Sequence, residues 1–478
     1  MMNHDELCYL SAEDALARFR NRSLSPVELL DAVIRRAEQT EPTVNALCLR
    51  YFDEAREQAH IAERNWQTNN ARPLEGIPIA IKDEALIAGK VTTNGSLLLQ
   101  DSVATETDVL VQRLLAAGAI IHARTTTPEF SMAFVTGSRI WGTTRNPWNP
   151  EITPGGSSGG SGASLAAGST TLASGSDIAG SIRVPASMNG IVGFKPPYGR
   201  VPQSAPYNLD CYSQEGPMAR TVEDCRLMQN LIAGPHLRDP AAIAPRLEIP
   251  PTLPDIRDWR IGYSLDLGFQ PLEDDVRTST LAALDLFRDA GARVEEVSLD
   301  WSGRHCMKTA MIHYSSIMAA QMRRDFGAPE QRAQLTTYIR HFLDISGEVS
   351  AANLLAEIEY ANRMWANLAR VFERCRVLLV PTVATTNIAA NFDYSKDRIQ
   401  IAGKLVDPIL GWVLTYPFNT LGRCPVLNLP VGLAANGVPL GLQIIGHPYD
   451  DVSVFAAGAA AERSAGGPFL ARHRPALR

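Results

Sequence analysis

The chain has 478 residues, of which 45% are hydrophobic and 20% are charged, a balance typical of a water-soluble globular protein. Its formal net charge of −6 gives no overall attraction to polyanions, and its Lys and Arg residues are scattered, so we expect no nucleic-acid partner. The sequence does not open with a basic stretch followed by an apolar run, and no apolar run reaches membrane-spanning length. We therefore expect a cytoplasmic protein that has no membrane partner.

Two helices and a strand are predicted in the first quarter of the chain. Ser25-Pro26-Val27-Glu28 has the capping-box spacing with Pro at the first helical position, and apolar residues then recur at helical intervals. These apolar residues are Leu29, Leu30, Val33, Ile34 and Ala37. A second helix is predicted from about Thr107 or Asp108 to Gly118, and a short buried strand follows at 119–121. A helix that leads directly into a buried strand indicates an α/β protein.

Short apolar runs bounded by Gly or Pro predict further strands at 77–81, 377–380 and 440–445, of the kind that is covered on both faces. The proline-rich stretch 239–254 predicts an irregular connection. A long cover helix is predicted at 353–373. The apolar pattern of that helix includes Leu354, Leu355, Ile358, Met364, Trp365 and Leu368. The predicted fold class is therefore α/β, with a mixed central β-sheet covered by helices on both faces.

A stretch rich in glycine and serine runs from Thr153 to Ser181. Alone it suggests a flexible linker, but apolar residues interrupt it and its end is not of low complexity. It contains G-x-S-x-G around Ser158, the nucleophile-elbow pattern of α/β-hydrolases, although several prolines stand where an elbow needs a strand. It matches neither a phosphate-binding nor a dinucleotide-binding pattern. We favour a buried segment in which glycine lets the backbone approach a ligand.

Three sequence blocks resemble, in the same order, the motifs of the amidase signature family. They are Gly76-Ile-Pro-Ile-Ala-Ile-Lys82-Asp83, Gly155-Gly-Ser-Ser-Gly-Gly-Ser161 and Asp177-Ile-Ala-Gly-Ser-Ile-Arg-Val-Pro185. Further similar segments extend the resemblance over most of the chain. The resemblance implies a single domain at 1–478, with a variable, helix-rich region at about 240–375 that shapes the substrate pocket.

The resemblance also implies a catalytic triad of two serines and a lysine. In this triad Ser181 attacks the carbonyl carbon, Ser157 follows a cis peptide bond and relays protons, and Lys82 accepts them. A lysine is a base only when it is neutral, so Lys82 must be largely buried. Asp83 and Glu84 would oppose this if either pointed at the amine. Because adjacent strand residues face opposite ways, Asp83 is expected to point elsewhere.

Backbone and supporting groups of the site are implied in the same way. The resemblance places an oxyanion hole on the backbone N–H groups of Ile178, Ala179, Gly180 and Ser181, where negative charge would develop. It gives the task of holding the catalytic loops to Ser158, Asp177 and Arg183. Asp177 and Arg183 could instead form an exposed ion pair of little energetic weight. Trp141, Trp148 and Trp412 could line an apolar substrate pocket or serve only in packing.

The implied activity is hydrolysis of a small amide through an acyl-enzyme. No cofactor is expected, and no metal, because the nine histidines and seven cysteines form no zinc-binding pattern. The same scaffold could act on esters, carbamates or ureas, or serve as the glutamine-hydrolysing subunit of a tRNA-dependent amidotransferase. A catalytically silent binding module and an esterase that uses Ser158 are two further hypotheses. The expected partner is a small-molecule amide substrate, and a homodimer is left open.

Overall fold

A mixed β-sheet of eleven strands forms the centre of the computed structural model, which describes residues 4–477. Together with four short strands outside this sheet, the strands within these residues are β1 (Leu47–Arg50), β2 (Pro78–Lys82), β3 (Ile120–Thr125), β4 (Gly137–Ser138), β5 (Gly142–Thr143), β6 (Leu172–Asp177), β7 (Val192–Lys195), β8 (Gln214–Ala219), β9 (Arg260–Tyr263), β10 (Arg293–Glu296), β11 (Val377–Pro381), β12 (Ile399–Ile401), β13 (Lys404–Val406), β14 (Val426–Leu433) and β15 (Pro439–Gly446).

Helices connect most of these strands. In the same part of the chain the α-helices are α1 (His4–Cys8), α2 (Ala12–Arg20), α3 (Pro26–Val44), α4 (Phe52–Gln67), α5 (Val109–Ala116), α6 (Gly159–Ala167), α7 (Arg183–Asn189), α8 (Val222–Ile232), α9 (Asp274–Asp289), α10 (Gly303–Tyr314), α11 (Ala320–Phe326), α12 (Pro329–Arg332), α13 (Thr337–Ile345), α14 (Ala351–Phe372), α15 (Pro417–Thr420), α16 (Asp451–Ser464) and α17 (Phe469–Arg472). Short 3₁₀ turns lie at Leu97–Leu99, Glu129–Ser131 and Tyr207–Leu209, and a π-helical turn at Ser315–Ala319 joins α10 to α11.

The strands of the central sheet follow the order β1-β3-β2-β6-β8-β7-β14-β15-β11-β9-β10. Strand β2 runs parallel to both β3 and β6, whereas β6 and β8 are antiparallel. Two small hairpins, β4 with β5 and β12 with β13, stand apart from this sheet. The predicted mixed sheet is therefore confirmed.

Helices cover both faces of the sheet, as alternate residues of one strand show. In β11, Val377 and Leu379 belong to an apolar cluster that includes residues of α3, α5, α8, α9 and α16. Leu378 and Val380 belong to a second cluster, with residues of α10 and α14. Because successive strand residues point to opposite faces, the two clusters lie on opposite sides of the sheet. The near-continuous apolar sequence of β11 reflects this double burial.

The elements predicted near the amino terminus are confirmed. Helix α3 begins with the expected capping box, in which the Ser25 hydroxyl accepts from the Glu28 N–H at 3.2 Å and the Glu28 carboxylate accepts from the Ser25 N–H at 2.8 Å. All five apolar positions predicted for this helix are fully buried. Helix α5 and strands β2, β11 and β15 also lie where the sequence places them. Strand β3 is longer than predicted, because it pairs along most of β2.

The long helix predicted at 353–373 is α14, but its packing differs from the prediction in its first turns. Leu354, Leu355 and Ile358 are 39%, 57% and 56% exposed. The helix is turned so that Glu357 is buried there, where its carboxylate accepts a hydrogen bond of 2.6 Å from the Tyr212 hydroxyl. Apolar periodicity alone could not reveal that a glutamate faces the protein.

The glycine- and serine-rich stretch is a buried part of the fold, so the linker interpretation is wrong. Every residue of α6 is buried, and β6 lies in the central sheet. A Cβ atom on Gly160 would lie only 2.5 Å from the backbone nitrogen of Thr126. Glycine at this position lets α6 pack directly against the chain that follows β3, because a larger residue would collide with the backbone.

The region at about 240–375 is rich in helices, as predicted, and holds α9 to α14 together with β9 and β10. Its first part, the proline-rich 239–254, is irregular. Across residues 4–477, no helix combines the length and the apolar character needed to cross a membrane. The single-domain organisation stays a prediction.

Candidate active site

Lys82 is the last residue of β2, and its amine lies inside the protein. The side chain is 1% exposed, because the apolar residues before it place the end of β2 deep in the sheet. Its Nζ donates hydrogen bonds to Ser157 Oγ at 2.7 Å and to Ser176 Oγ at 2.8 Å. The structure thus joins two of the three residues implied by the resemblance.

The two acidic residues after Lys82 point in different directions. Asp83 turns away and pairs with the buried Arg124 at 3.2 Å, as the alternation of strand residues predicts. Glu84 turns towards Lys82, and its Oε2 lies 3.1 Å from Nζ. Ser131 donates a further hydrogen bond of 2.5 Å to this carboxylate. The amine therefore has a carboxylate beside it, which the sequence raised as an obstacle to a neutral lysine.

Burial and the Glu84 carboxylate act on Lys82 in opposite directions. Burial lowers the pKa of the amine, because an ammonium ion is poorly solvated inside the protein, and the negative charge of Glu84 offsets part of this effect. The net result is a pKa below the ordinary lysine value. For Glu84, burial raises the pKa, but the charge of Lys82 and several hydrogen bonds hold it below its usual value. Lys82 is thus a lysine that loses its proton more readily than a solvated one.

Ser157 and Ser158 lie at the start of α6 and have different partners. The Gly156–Ser157 peptide bond is cis, the geometry that the resemblance implies, and the Ser157 hydroxyl faces Lys82. The Ser158 hydroxyl instead accepts from the Ser176 N–H at 3.3 Å, and the Ser158 N–H donates to the Ser181 carbonyl at 3.2 Å. Ser158 therefore links the two loops, and its hydroxyl is engaged with backbone, which does not favour the elbow interpretation.

Ser181 lies in the loop between β6 and α7, after three residues that leave their amide groups unused. Among the described residues, none accepts a hydrogen bond from the backbone N–H groups of 178–181. Gly180 has φ +136°, and a Cβ there would lie 2.1 Å from Thr415 Oγ1, so only glycine fits. Thr415 Oγ1 donates to the Ala179 carbonyl at 2.6 Å and so fixes the loop. These N–H groups are free to bind an anion.

Asp177 and Arg183 bracket this loop in a fully buried pair, so the exposed-pair interpretation is wrong. Arg183 donates to both carboxylate oxygens, at 2.9 and 2.8 Å, and also to Gln443 and Asn419. Burial alone would raise the pKa of Asp177, but the Arg183 charge and hydrogen bonds hold it below the usual range. One carboxylate oxygen also accepts from the Ile182 N–H at 3.2 Å. The pair therefore ties the nucleophile loop to β15 and α15.

Replacing Arg183 by methionine is expected to lower the free energy of unfolding by about 3–5 kcal/mol, because it leaves the Asp177 carboxylate buried without its partner. Chemical denaturation measures this change. A double variant, Asp177→Asn with Arg183→Met, is expected to recover part of the loss because no buried charge remains. A loss below about 1 kcal/mol in the single variant, the value typical of an exposed pair, would contradict this account.

Two cavities meet at Ser181. The first, which we call the apolar pocket, has a volume of about 50 Å³ and is lined by Ser181 and by Met132, Phe134, Ile178, Met318, Phe342 and Leu410, among others. The second, the acidic cleft, has a volume of about 340 Å³. Ser157 and Ser181 lie in its lining with Glu84, Asp108, Glu215 and Asp325. Trp141, Trp148 and Trp412 line neither cavity.

Several residues of the site were not found from the sequence. Ser176 accepts from the Lys82 amine, Thr415 positions the Ala179 carbonyl, and Ser131 binds Glu84. None belongs to a recognised short motif. Ser131 and Thr415 reach the site from distant parts of the chain, whereas Ser176 lies on β6 directly before Asp177. Among the described residues, no group of three His, Cys, Asp or Glu side chains is arranged to hold a metal ion.

The model of the amidase family matches residues 28–455. The chain belongs to the amidase signature family. It is therefore an enzyme of the amidohydrolase class, which acts on carbon–nitrogen bonds.

Individual members of the amidase signature family match over almost their whole length. An acylamidase of Rhodococcus erythropolis is 31% identical over 462 residues, which cover 95% of each chain. A glutamyl-tRNA(Gln) amidotransferase subunit of Chloroflexus aurantiacus is 34% identical over 487 residues, covering 96% of this chain and 97% of that one. The crystal structure of a bacterial aryl acylamidase of the same family superimposes with a TM-score of 0.89 at 30% identity, covering 95% of this chain and 96% of that one.

Proposed function

We propose that this protein is an amidase that hydrolyses a small amide through Ser181, Ser157 and Lys82. One observation carries the proposal: a buried lysine amine donates to the Ser157 hydroxyl at 2.7 Å, and Ser157 shares a cleft with Ser181. A serine hydroxyl becomes a good nucleophile only when a neighbouring group takes its proton. In this arrangement neutral Lys82 takes a proton from Ser157, which in turn takes the proton of Ser181.

The bond changes of the proposed reaction balance in two stages. Ser181 Oγ bonds to the carbonyl carbon, the C–N bond breaks, and Ser157 returns a proton to the leaving nitrogen. The amine leaves, and the acyl group stays on Ser181 as an ester. Water then attacks the ester, gives its proton to the relay and releases a carboxylic acid, so Ser181 and Lys82 return to their starting states.

The free backbone N–H groups of 178–181 supply the electrostatic part of the proposed mechanism. Negative charge develops on the carbonyl oxygen when Ser181 attacks, and preorganised donors at that point are typically the largest contribution to catalysis. Thr415 and the Asp177–Arg183 pair hold this loop without using its N–H groups. This division of tasks leaves the donors available for the substrate oxygen.

The apolar pocket supports a short acyl group. Its volume of about 50 Å³ is well below the roughly 150 Å³ of a cavity that binds benzene. Its lining carries no charged side chain. A short aliphatic acyl chain therefore fits this pocket in its present shape. The similarity to an acylamidase and to an aryl acylamidase is consistent with this choice.

A panel of short-chain amides, anilides, esters, carbamates and ureas tests the proposal. We expect hydrolysis of short-chain amides or anilides, and covalent labelling of Ser181 by a fluorophosphonate. Esters, carbamates and ureas test the alternatives that use the same acyl-enzyme chemistry. Folded protein that turns over no member of the panel and leaves Ser181 unlabelled would indicate a binding module instead.

A second candidate function is the glutamine-hydrolysing subunit of an amidotransferase, favoured by the 34% identity to such a subunit. The lining of the two cavities counts against it. Glutamine carries an α-carboxylate, and neither lining contains a Lys or Arg to pair with it. Glutaminase activity that appears when amidotransferase partner subunits are added would support this second candidate.

Replacing Glu84 by glutamine is expected to move the acidic limb of the pH profile of kcat/KM to lower pH. Removing the negative charge beside Lys82 makes the ammonium form less favourable, so its pKa falls further and neutral Lys82 persists at lower pH. The measurement is kcat/KM for one short-chain amide across pH. Glu57→Gln, which removes an exposed charge on α4, is the control and is expected to leave the limb in place. If the acidic limb of the pH profile stays in place in Glu84→Gln, the ionisation of Lys82 does not determine that limb.

A further inference from the structure

The acidic cleft is rich in carboxyl groups and has no cationic side chain among the described residues of its lining. Glu84, Asp108, Glu215, Asp325 and Asp177 line it. Arg183 neutralises Asp177, and Arg324 pairs with Asp325 at 2.7 Å, so Asp108 and Glu215 are the two without an ion-pair partner among the described residues. No Lys, Arg or His is among the described residues that line it. The nearest ammonium group is that of Lys82 below the cleft, which contacts Glu84. The proposed mechanism needs this ammonium group to lose its proton. Its loss would reduce the positive charge near the carboxyl groups of the cleft still further.

Glu215 is the carboxyl group of this cleft that lacks a partner among the described residues. It lies on β8 directly across from Ser176 of β6, the residue whose hydroxyl accepts from Lys82. Within residues 4–477 its side chain has neither a hydrogen-bond partner nor an ion-pair partner. Burial, followed by the charges of Asp108 and Glu84, raises the pKa of Glu215. A carboxyl group of this kind, open to the substrate cleft, is where an added cation would be stabilised.

Asp108 is held so that it faces the same cleft. Its two carboxylate oxygens accept from the Leu86 N–H at 2.6 Å and from the Ser204 hydroxyl at 2.5 Å. Each carboxylate oxygen can accept a second hydrogen bond. Among the described residues, the acidic groups of the cleft are not gathered into a metal-holding set, so a longer organic cation suits their arrangement better than a metal ion.

The proton relay determines which half of the substrate enters the acidic cleft. Both cavities contain Ser181, but Ser157 lines only the acidic cleft. The leaving nitrogen must receive a proton from Ser157, so it has to lie on the side where that hydroxyl is exposed. The acyl group then enters the apolar pocket, and the leaving amine enters the acidic cleft.

We propose that the leaving amine of the substrate carries a second, positively charged group, an ammonium or a guanidinium, that pairs with Glu215 and Asp108 in the acidic cleft. This inference rests on the proposed amidase function and names its substrate class: short-chain acyl amides of cationic amines. The cation supplies the counter-charge that the lining lacks.

Two matched substrates test this inference. Monoacetylated tetramethylenediamine carries an ammonium group, and N-pentylacetamide has a methyl group at the same position. We expect kcat/KM to be at least about tenfold higher for the cation, which corresponds to about 1.4 kcal/mol. Added salt is expected to reduce this preference, because it screens charges. Equal or faster turnover of the neutral amide would overturn the inference.

Two variants distinguish the effect of the Glu215 carboxyl group from a general effect of the charge of the protein. Glu215→Gln is expected to lower the ratio of kcat/KM for the cationic amide to kcat/KM for the neutral amide by about tenfold. The ratio is the readout because the charge of Glu215 also acts on the pKa of Lys82, which serves both substrates. Glu57→Gln removes an exposed charge on α4 and is expected to leave kcat/KM unchanged for both substrates. A Glu215→Gln variant that loses both activities equally would contradict a role in recognising the cation.

Protection of Ser181 against a fluorophosphonate gives a second measurement that needs no turnover. The cationic amide is expected to protect Ser181 at a lower concentration than the neutral amide, and Glu215→Gln is expected to remove this difference. Equal protection by the two amides would overturn the inference while the amidase function stands. If Ser181 is not labelled and neither amide is hydrolysed, the proposed function itself fails.

Discussion

Replacing Ser181 by alanine is expected to lower kcat/KM for a short-chain amide by about 10⁴-fold or more, because no other group can form the acyl-enzyme. Ser181 is buried at the junction of the two cavities and follows three residues with free N–H groups. Steady-state kinetics of the purified variant measures the loss. Fluorophosphonate labelling of the same variant is expected to be absent.

Neighbouring serines provide controls for this result. Ser187 lies on α7 close to the nucleophile, and its buried hydroxyl has no hydrogen-bond partner among the described residues. Ser187→Ala is therefore expected to remain active and to be labelled. Ser158→Ala is also expected to be labelled, although less efficiently because it loses a link between the loops. Labelling that persists in Ser181→Ala and disappears in Ser158→Ala would support an esterase that uses Ser158.

Replacing Lys82 by methionine is expected to lower kcat/KM by about 10³-fold, within the range of contributions from general acid–base groups. Methionine keeps an apolar side chain in the buried site but cannot take a proton from Ser157. Kinetics at several pH values measures the effect, with thermal unfolding as a check that the variant is folded.

Lys82→Arg separates proton transfer from simple positive charge. Arginine retains the charge and can donate to Ser157, but it does not lose its proton in proteins. We therefore expect Lys82→Arg to be as inactive as Lys82→Met. Substantial activity in the arginine variant would show that the amine acts as a cation and not as a base.

The central part of the site was predictable because its signals are local. The apolar run before Lys82 predicts a buried strand. This strand is β2, and the Lys82 amine lies at its buried end. The Gly- and Ser-rich block predicts close backbone approach, and Gly160 and Gly180 occupy positions where no side chain fits. The alternation of strand residues also correctly predicted that Asp83 turns away from the amine.

What the sequence did not predict depends on long-range packing. The apolar pocket combines residues near 132, 179, 314, 342 and 410, and no periodicity brings such distant segments together. The contact between Glu84 and Lys82 forms in the turn that follows β2, and its effect on the charge of Lys82 depends on how deeply both groups are buried. The exposure of Leu354 and Leu355 on α14 likewise depends on which side of the helix the rest of the protein covers.

The pH dependence of the rate at which a fluorophosphonate labels Ser181 tests most directly whether a neutral buried amine activates this hydroxyl. The account predicts that the rate rises with pH through one ionisation below the ordinary lysine pKa of about 10.4, and that this rise is lost in Lys82→Met. Labelling that is independent of pH, or that keeps the same pH dependence without the Lys82 amine, would contradict it.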